Sequence, residues 1–394
     1  MAEGRRPRPG LRYVLVSLII ALVWWGCRPA ELFVGDINLG FQAFRPVVVE
    51  GRGRAFVLGP GVAAALDIDS GRVLATAGAG GQPGAAVAAP AAGRVFVLDV
   101  QAPGGVYVFD VGSGRRLSET PLEAWVRPRA AAVDEQNGRL VVTSWGWPAF
   151  PGGGRATVFD LRSGTVLGQV EVGFGPAAVA TDPDRGLGFV ANAVSNSLSV
   201  IDIRRPAVVA TVTLGPQPGT AFRVGFNPAS GRVFVLSYPP KVSGGPNEGR
   251  IDVVSAKTFE ILDRVTLPNP VAMTVGSGRV YVVGAEEDRS LIFGLDAWTG
   301  QKLWSAQVEG APATDVAIDP TRPVSVDALG LLGERVLVAT ATGALYVLDA
   351  GSGRVRCRIL LGSKPGGLAA DRVGGRAVVA LPDGERVKVL RPEC

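Results

Sequence analysis

The sequence contains no histidine, and only 3 cysteines and 2 methionines among its 394 residues. Without histidine there is no His-ligated zinc, no His-based triad and no haem held by a proximal His, and a Cys-x-x-Cys-His attachment is equally excluded. A Ser-Lys or carboxylate-only mechanism survives in principle, but no motif singles out such a pair. Net charge is also small. The formal net charge is +5, and Arg5, Arg6, Arg8 and Arg12 against Glu3 carry most of it. A nucleic-acid partner needs a concentrated basic face, so none is expected.

Most of the positive excess opens the chain. A basic stretch over residues 1–12 precedes an apolar run over 13–25 and then Gly26-Cys27. A helix over 13–27 would rise about 22 Å, short of the roughly 30 Å hydrocarbon core of a bilayer. That length suits a signal-peptide core better than a permanent span. Gly26-Cys27 resembles a bacterial lipoprotein cleavage site, which implies acylation of Cys27, although Trp24 and Trp25 stand where that motif prefers Leu and a small residue. Residues 1–27 therefore read as a signal peptide or membrane anchor, and 28–394 as one extracytoplasmic domain. Lipoprotein, uncleaved signal anchor and ordinary secretion are the three forms this takes. In an oxidising compartment Cys357 and Cys394 could pair. The preferred reading makes Cys357 a small core hydrophobe on the same strand face as Val355 and Ile359.

Ordered apolar runs fill the rest. Residues 175–215 hold four of them (177–180, 187–192, 197–202 and 208–214), each bounded by Gly, Pro, Asn, Asp or Arg. They read as four strands joined by tight turns. The second run, a Gly-Arg-like turn followed by β-branched and aromatic residues, recurs from 54, 94, 139, 186, 232, 279, 335 and 376. A four-stranded unit repeated at this spacing predicts an all-β, single β-propeller, most simply of eight blades, with seven as the alternative. The runs do not alternate, because a blade is covered by neighbours on both faces. Gly188 is expected to admit the adjacent blade closely. A second signal follows the third strand: Asp, two residues, Ser or Thr, then Gly, at 67–71, 110–114, 160–164, 296–300 and 349–353. These aspartates read as turn caps rather than metal ligands. Asn192, Ser199 and Asp202 likewise read as scaffold. The eighth repeat supplies only 367–371, 376–381 and 386–390, so residues 32–39 are expected to provide its outer strand, removing two open edges.

Phe189-Val190-Ala191-Asn192, then Asn196-Ser197-Leu198-Ser199-Val200-Ile201-Asp202 and Val209-Ala210-Thr211-Val212-Thr213-Leu214-Gly215, resembles the YVTN-type β-propeller repeat. That resemblance runs from about Pro46 to Leu390 and implies a prokaryotic extracytoplasmic propeller, usually a binding or surface protein without assigned catalysis. Residues 294–304, with Asp296-Ala297-Trp298-Thr299-Gly300 and Trp304, are similar to the quinoprotein-like repeat, in which the Trp packs between blades. The adjacent-cysteine pair of the quinoprotein dehydrogenases is absent. Trp304 is therefore expected in inter-blade core.

Three loops between second and third strands depart from the repeat: 144–155, 237–250 and 284–290. They carry Trp145, Trp147, Phe150, Tyr238 and Lys241, with Glu286, Glu287, Asp288 and Arg289 on the third. Large aromatics on a loop bury much area at low entropic cost, which marks a recognition surface; local packing is the competing reading. Residues 319–334 are expected as an insertion on the opposite face and form a weaker candidate. The favoured function is a non-catalytic, membrane-anchored scaffold, monomeric, binding a protein or cell-surface ligand, with no cofactor and no bound metal. The alternatives are a metal-dependent hydrolase of the propeller-lactonase kind, and a quinoprotein-like redox enzyme.

Overall fold

The computed structural model describes residues 33–101, 103–123, 126–146, 153–215, 220–238, 248–276, 278–311, 329–332 and 335–393. Every recurrent apolar run within them is a strand. The strands form eight antiparallel sheets of four, so the chain is an eight-bladed propeller and the seven-blade alternative falls away. Blade 4 is the plain template: Pro176–Asp182 inside, then Leu187–Asn192, Ser197–Asp202 and, outermost, Ala207–Thr213. Blade 8 is composite. Gly367–Asp371, Arg376–Leu381 and Arg386–Leu390 take Phe33–Asn38 as their outer strand, with Ile37 opposite Val387.

The second strands form the core. Phe56, Phe96, Phe189 and Phe234 are all fully buried, as both covered faces of a blade require. Each such side chain contributes about 1.5–3 kcal/mol by leaving water. Outer strands differ. Arg72–Gly78 and Ala207–Thr213 alternate between exposed and half-buried positions, since one face meets solvent.

The two periodic signals in the sequence turn out to be partners. Arg54 stands opposite Asp67, Arg94 opposite Asp110 and Arg139 opposite Asp160. The ion pairs measure 2.7, 3.3 and 3.7 Å. The other oxygen of each aspartate caps the turn: Oδ1 of Asp67 accepts from the Ser70 N–H at 2.8 Å, and Oδ1 of Asp110 from Ser113 N–H and Oγ–H at 2.8 and 2.7 Å. The turn glycine has two reasons to be there. Gly114 has φ +71°, and a Cβ on it would lie 2.4 Å from Cβ of Ala65 in the preceding blade. Blade 4 keeps the cap without glycine, Asp202 accepting from Arg204 and Arg205 N–H at 2.8 and 3.0 Å.

Three expectations are corrected. A Cβ on Gly188 would meet Ile201 of its own blade at 2.9 Å, so that glycine makes room within the sheet rather than between blades. Of the expected insertion at 319–334, Leu329–Leu332 is the inner strand of blade 7; residues 319–328 and 333–334 lie outside the described residues. Cys357 is half-buried against a core cluster with Leu390 and Ala377, but it is disulfide-bonded rather than a free thiol. The other cysteines, Cys27 and Cys394, lie outside the described residues. Trp304 does pack between blades, with Tyr281 of its own blade and Val336, Val338 and Tyr346 of the next.

Candidate functional site

The inter-blade connections and the turns between second and third strands share one face of the disc. On it, strand pairing in blade 3 continues further than the loop reading suggested. The second strand runs Arg139–Gly146, so Trp145 stands on a strand, opposite Arg127. It is half-buried beneath the guanidinium of Arg129, 4.8 Å from the ring centroid. Such a stack fixes the ring against a cation. Trp147, Phe150 and Lys241 lie outside the described residues, as does Cys27. Tyr238 ends the second strand of blade 5, opposite Thr220.

The loop of blade 6 is a short hairpin closure. Its backbone bond runs from Glu286 N–H to Arg289 O at 3.0 Å, and the Arg289 guanidinium pairs with the Glu286 carboxylate, which raises the Arg289 pKa. Glu287 and Asp288 are exposed at its tip. Blade 6 stands three blades from blade 3, so these charges and Trp145 are not brought together.

The residues that do join Trp145's side of the face were not singled out from the sequence. Phe174, in the connection from blade 3 to blade 4, is 54% exposed, and Val194, in the next turn, is 42% exposed. They are tied together: Val194 and Ser195 N–H donate to Phe174 O at 3.1 and 3.3 Å, and Ala193 N–H to Gly175 O at 2.7 Å. Beneath them Asn192 is fully buried and donates to Ser197 and Ser199 Oγ at 3.1 and 2.9 Å, while Ser199 Oγ accepts from Gly173 N–H at 3.3 Å. A rigid polar platform thus presents an aromatic and an aliphatic side chain to solvent. The legible signal was an aromatic residue set between Gly173 and Gly175.

The next junction is held by charge. Asp252 is fully buried between Arg250 and Arg264, each 3.0 Å away, and both guanidiniums also donate to Leu214 O at 2.6 and 3.1 Å. Burial pushes the Asp252 carboxyl upward, against the pull of the two cations. Among the described residues no three His, Cys, Asp or Glu side chains converge on a metal-sized site.

The fold is widely shared. The chain is similar to the computationally designed Ika8 protein (TM-score 0.68, 15% identity, 91% of this chain and 99% of that one). It is similar to BamB from Moraxella catarrhalis (TM-score 0.64, 15% identity, 91% and 99%). The C-terminal WD40 domain of Sif2 is a third (TM-score 0.69, 11% identity, 92% and 99%). Identities this low show a common fold alone. No curated protein matches. A family model described as outer membrane protein assembly factor BamB matches residues 194–390, from the second turn of blade 4 into blade 8. That span is half of the chain, and the protein belongs to this family of β-propellers.

Proposed function

We propose that the protein is a non-catalytic extracytoplasmic scaffold, held at the membrane by residues 1–27, whose propeller over 28–394 binds a protein partner on the face bearing Trp145, Phe174 and Val194. The observation that carries this reading is the exposed Phe174–Val194 pair on a buried hydrogen-bonded platform. Large apolar groups held rigidly in solvent bind at low entropic cost. The family's description as an assembly factor supports a protein as the ligand, and an outer-membrane role supports an extracytoplasmic setting. The likeness of blade 4 to the YVTN-type repeat points to the same compartment. Trp147, Phe150, Tyr238 and Lys241 extend the recognition surface in this reading, and Cys27 is its acylation site.

The test is capture of partner from intact membranes by the full-length protein, followed by titration of the purified partner. The double variant F174A/V194S should weaken binding at least about tenfold, the range for truncating interface anchors. Its melting temperature should stay within a degree or two, since both side chains face solvent. Undiminished binding by that variant would overturn the assignment of this face.

A further inference from the structure

The face opposite the connections is built from turns, those from first to second strand and those from third to fourth. The turns from third to fourth strand carry a recurrent cation. It is Arg115 in blade 2, Arg162 in blade 3, Arg205 in blade 4, Lys257 in blade 5, Lys302 in blade 6 and Arg354 in blade 7. All are exposed, and among the described residues none of these side chains is in an ion pair or a hydrogen bond. The carboxylates of the same face are mostly engaged. The turn aspartates accept their N–H caps, Asp69 pairs with Arg376, and Glu50 pairs with Arg372 at 3.6 Å. Glu135 accepts from the Ala91 and Ala92 N–H at 2.7 and 3.1 Å, while Asp184 stays exposed.

Apolar groups stand beside these cations. Leu117, Leu167, Leu262 and Leu303, each at the start of an outer strand, are 45–51% exposed, and Trp298, in the turn of blade 6, is 50% exposed. The connection face has the other sign, with Glu287, Asp288, Asp383 and Glu385 exposed on it. The disc is therefore polar along its axis. Uncompensated cations interleaved with leucine and tryptophan suit an anionic lipid surface, where basic groups meet headgroups and an indole sits at their level.

The chain path favours the same side. Phe33 pairs with Leu390, which faces Ala377 beside the turn from Asp371 to Arg376, so the chain enters blade 8 at the turn face. From Cys27 to Phe33 it can span at most about 20 Å, roughly the height of one blade strand. The turn face is thus the side nearest Cys27.

We propose that the turn face docks on an anionic phospholipid surface, with Arg115, Arg162, Arg205, Lys257, Lys302 and Arg354 against the headgroups. This rests on the membrane-anchored reading above and adds an orientation to it. The turns lie on the bilayer, and the Phe174–Val194 platform points away, open to its partner.

The test adds the full-length protein to vesicles of phosphatidylcholine, or of phosphatidylcholine mixed with phosphatidylglycerol. Flotation reports anchoring, and labelling by a membrane-impermeant amine reagent, read by mass spectrometry, reports the face. Labelling of Lys257 and Lys302 should fall about fivefold or more on the anionic vesicles relative to the zwitterionic ones, the effect of about one basic contact. Lys364, exposed on the connection face, should label equally on both. High salt should restore labelling of Lys257 and Lys302, as screening requires. The variant R115E/R162E/R205E should float with both vesicles yet lose the protection, and F174A/V194S should keep it. Thermal melts report folding, and the wild-type comparison decides alone if the charge-reversal variant is unfolded. Failure to float with phosphatidylcholine would count against anchoring by residues 1–27, and flotation with the anionic vesicles would then read the face directly. Equal labelling of Lys257 and Lys302 on the two lipids, or protection that survives charge reversal, would overturn the proposal.

Discussion

Trp304 stands directly across from Gly294, and its indole fills the space a side chain at Gly294 would need: a Cβ there would lie 2.3 Å from Cε2. The corresponding pairs in blades 2, 3, 4, 5 and 7 are Val108–Ser118, Val158–Gly168, Val200–Ala210, Val253–Asp263 and Val347–Cys357. In blade 6 the bulk has crossed from the third strand to the outer one. The same indole closes on the next blade, where a Cβ at Gly353 would be 2.3 Å from Cε3.

This exchange predicts a coupled pair. Gly294→Val should force the indole out, and Trp304→Ala should cost about 3 kcal/mol as buried aromatic surface is lost. The double variant restores the arrangement of the other blades, so it should be more stable than the sum of the single losses by about 1–3 kcal/mol. A denaturant double-mutant cycle measures this; strict additivity would contradict the exchange.

The turn aspartates predict an acid-labile ring. Asp67, Asp110, Asp160 and Asp296 are held below the usual carboxylate range, chiefly by backbone N–H bonds from Ser70, Ser113, Ser163 and Thr299. Asp349 is held lowest, mainly by the Arg356 guanidinium. A depressed folded pKa gives stability that is complete above the unfolded value of about 4 and is lost as pH falls through the folded one. Melting temperature should therefore be flat from pH 7 to about 5 and decline below about 4. Asp110→Asn, which keeps an acceptor but does not titrate, should make that decline shallower. An unchanged slope would reject the assignment.

Register also predicts the partner of Cys357. Cys357 occupies the position of Trp304, which packs against the turn of the following blade. In blade 8, Leu390 faces Ala377 as Leu348 faces Val336 in blade 7. Cys394, four residues beyond Leu390, then corresponds in sequence to Ser352, next to Gly353 in the turn against Trp304. Peptide mapping without reductant should recover Cys357 joined to Cys394, and Cys394→Ser should cost about 2–4 kcal/mol. A linkage to Cys27 would overturn this and would also remove that residue as an acylation site.

Removal of residues 1–39 should expose the edge of Arg386–Leu390, now paired with Phe33–Asn38, and withdraw Ile37 from the core. The loss at Ile37 alone is about 1.5–3 kcal/mol. Size-exclusion chromatography should show more self-association through the open edge than the full chain shows in the same run. A monomer of unchanged stability would show the strand to be dispensable.

The blades were legible because each repeats its β-branched run and its Asp turn, and repetition averages out ambiguity in any one of them. What depended on register was not. Arg54 and Asp67 are 13 residues apart, and only the hairpin makes them one ion pair. Trp145 was read as a loop residue because pairing with Arg127 extends the strand past the apolar run. Phe174 was passed over because a connector looks like punctuation between strands. Cys357 appeared to need no partner, since strand alternation alone could explain its place. The charges at 286–289 looked like recognition, yet two of them close their own hairpin.

The composite eighth blade sets how the ring meets mechanical load. Phe33–Asn38 is the outermost strand of that blade, and its pairing to Arg386–Leu390 joins the first described residues of the chain to nearly the last. Tension applied through residues 1–32 therefore reaches the disc at its clasp. Detaching that one strand releases the closing blade before any of the seven continuous blades is strained, so the clasp sets the force at which the ring opens.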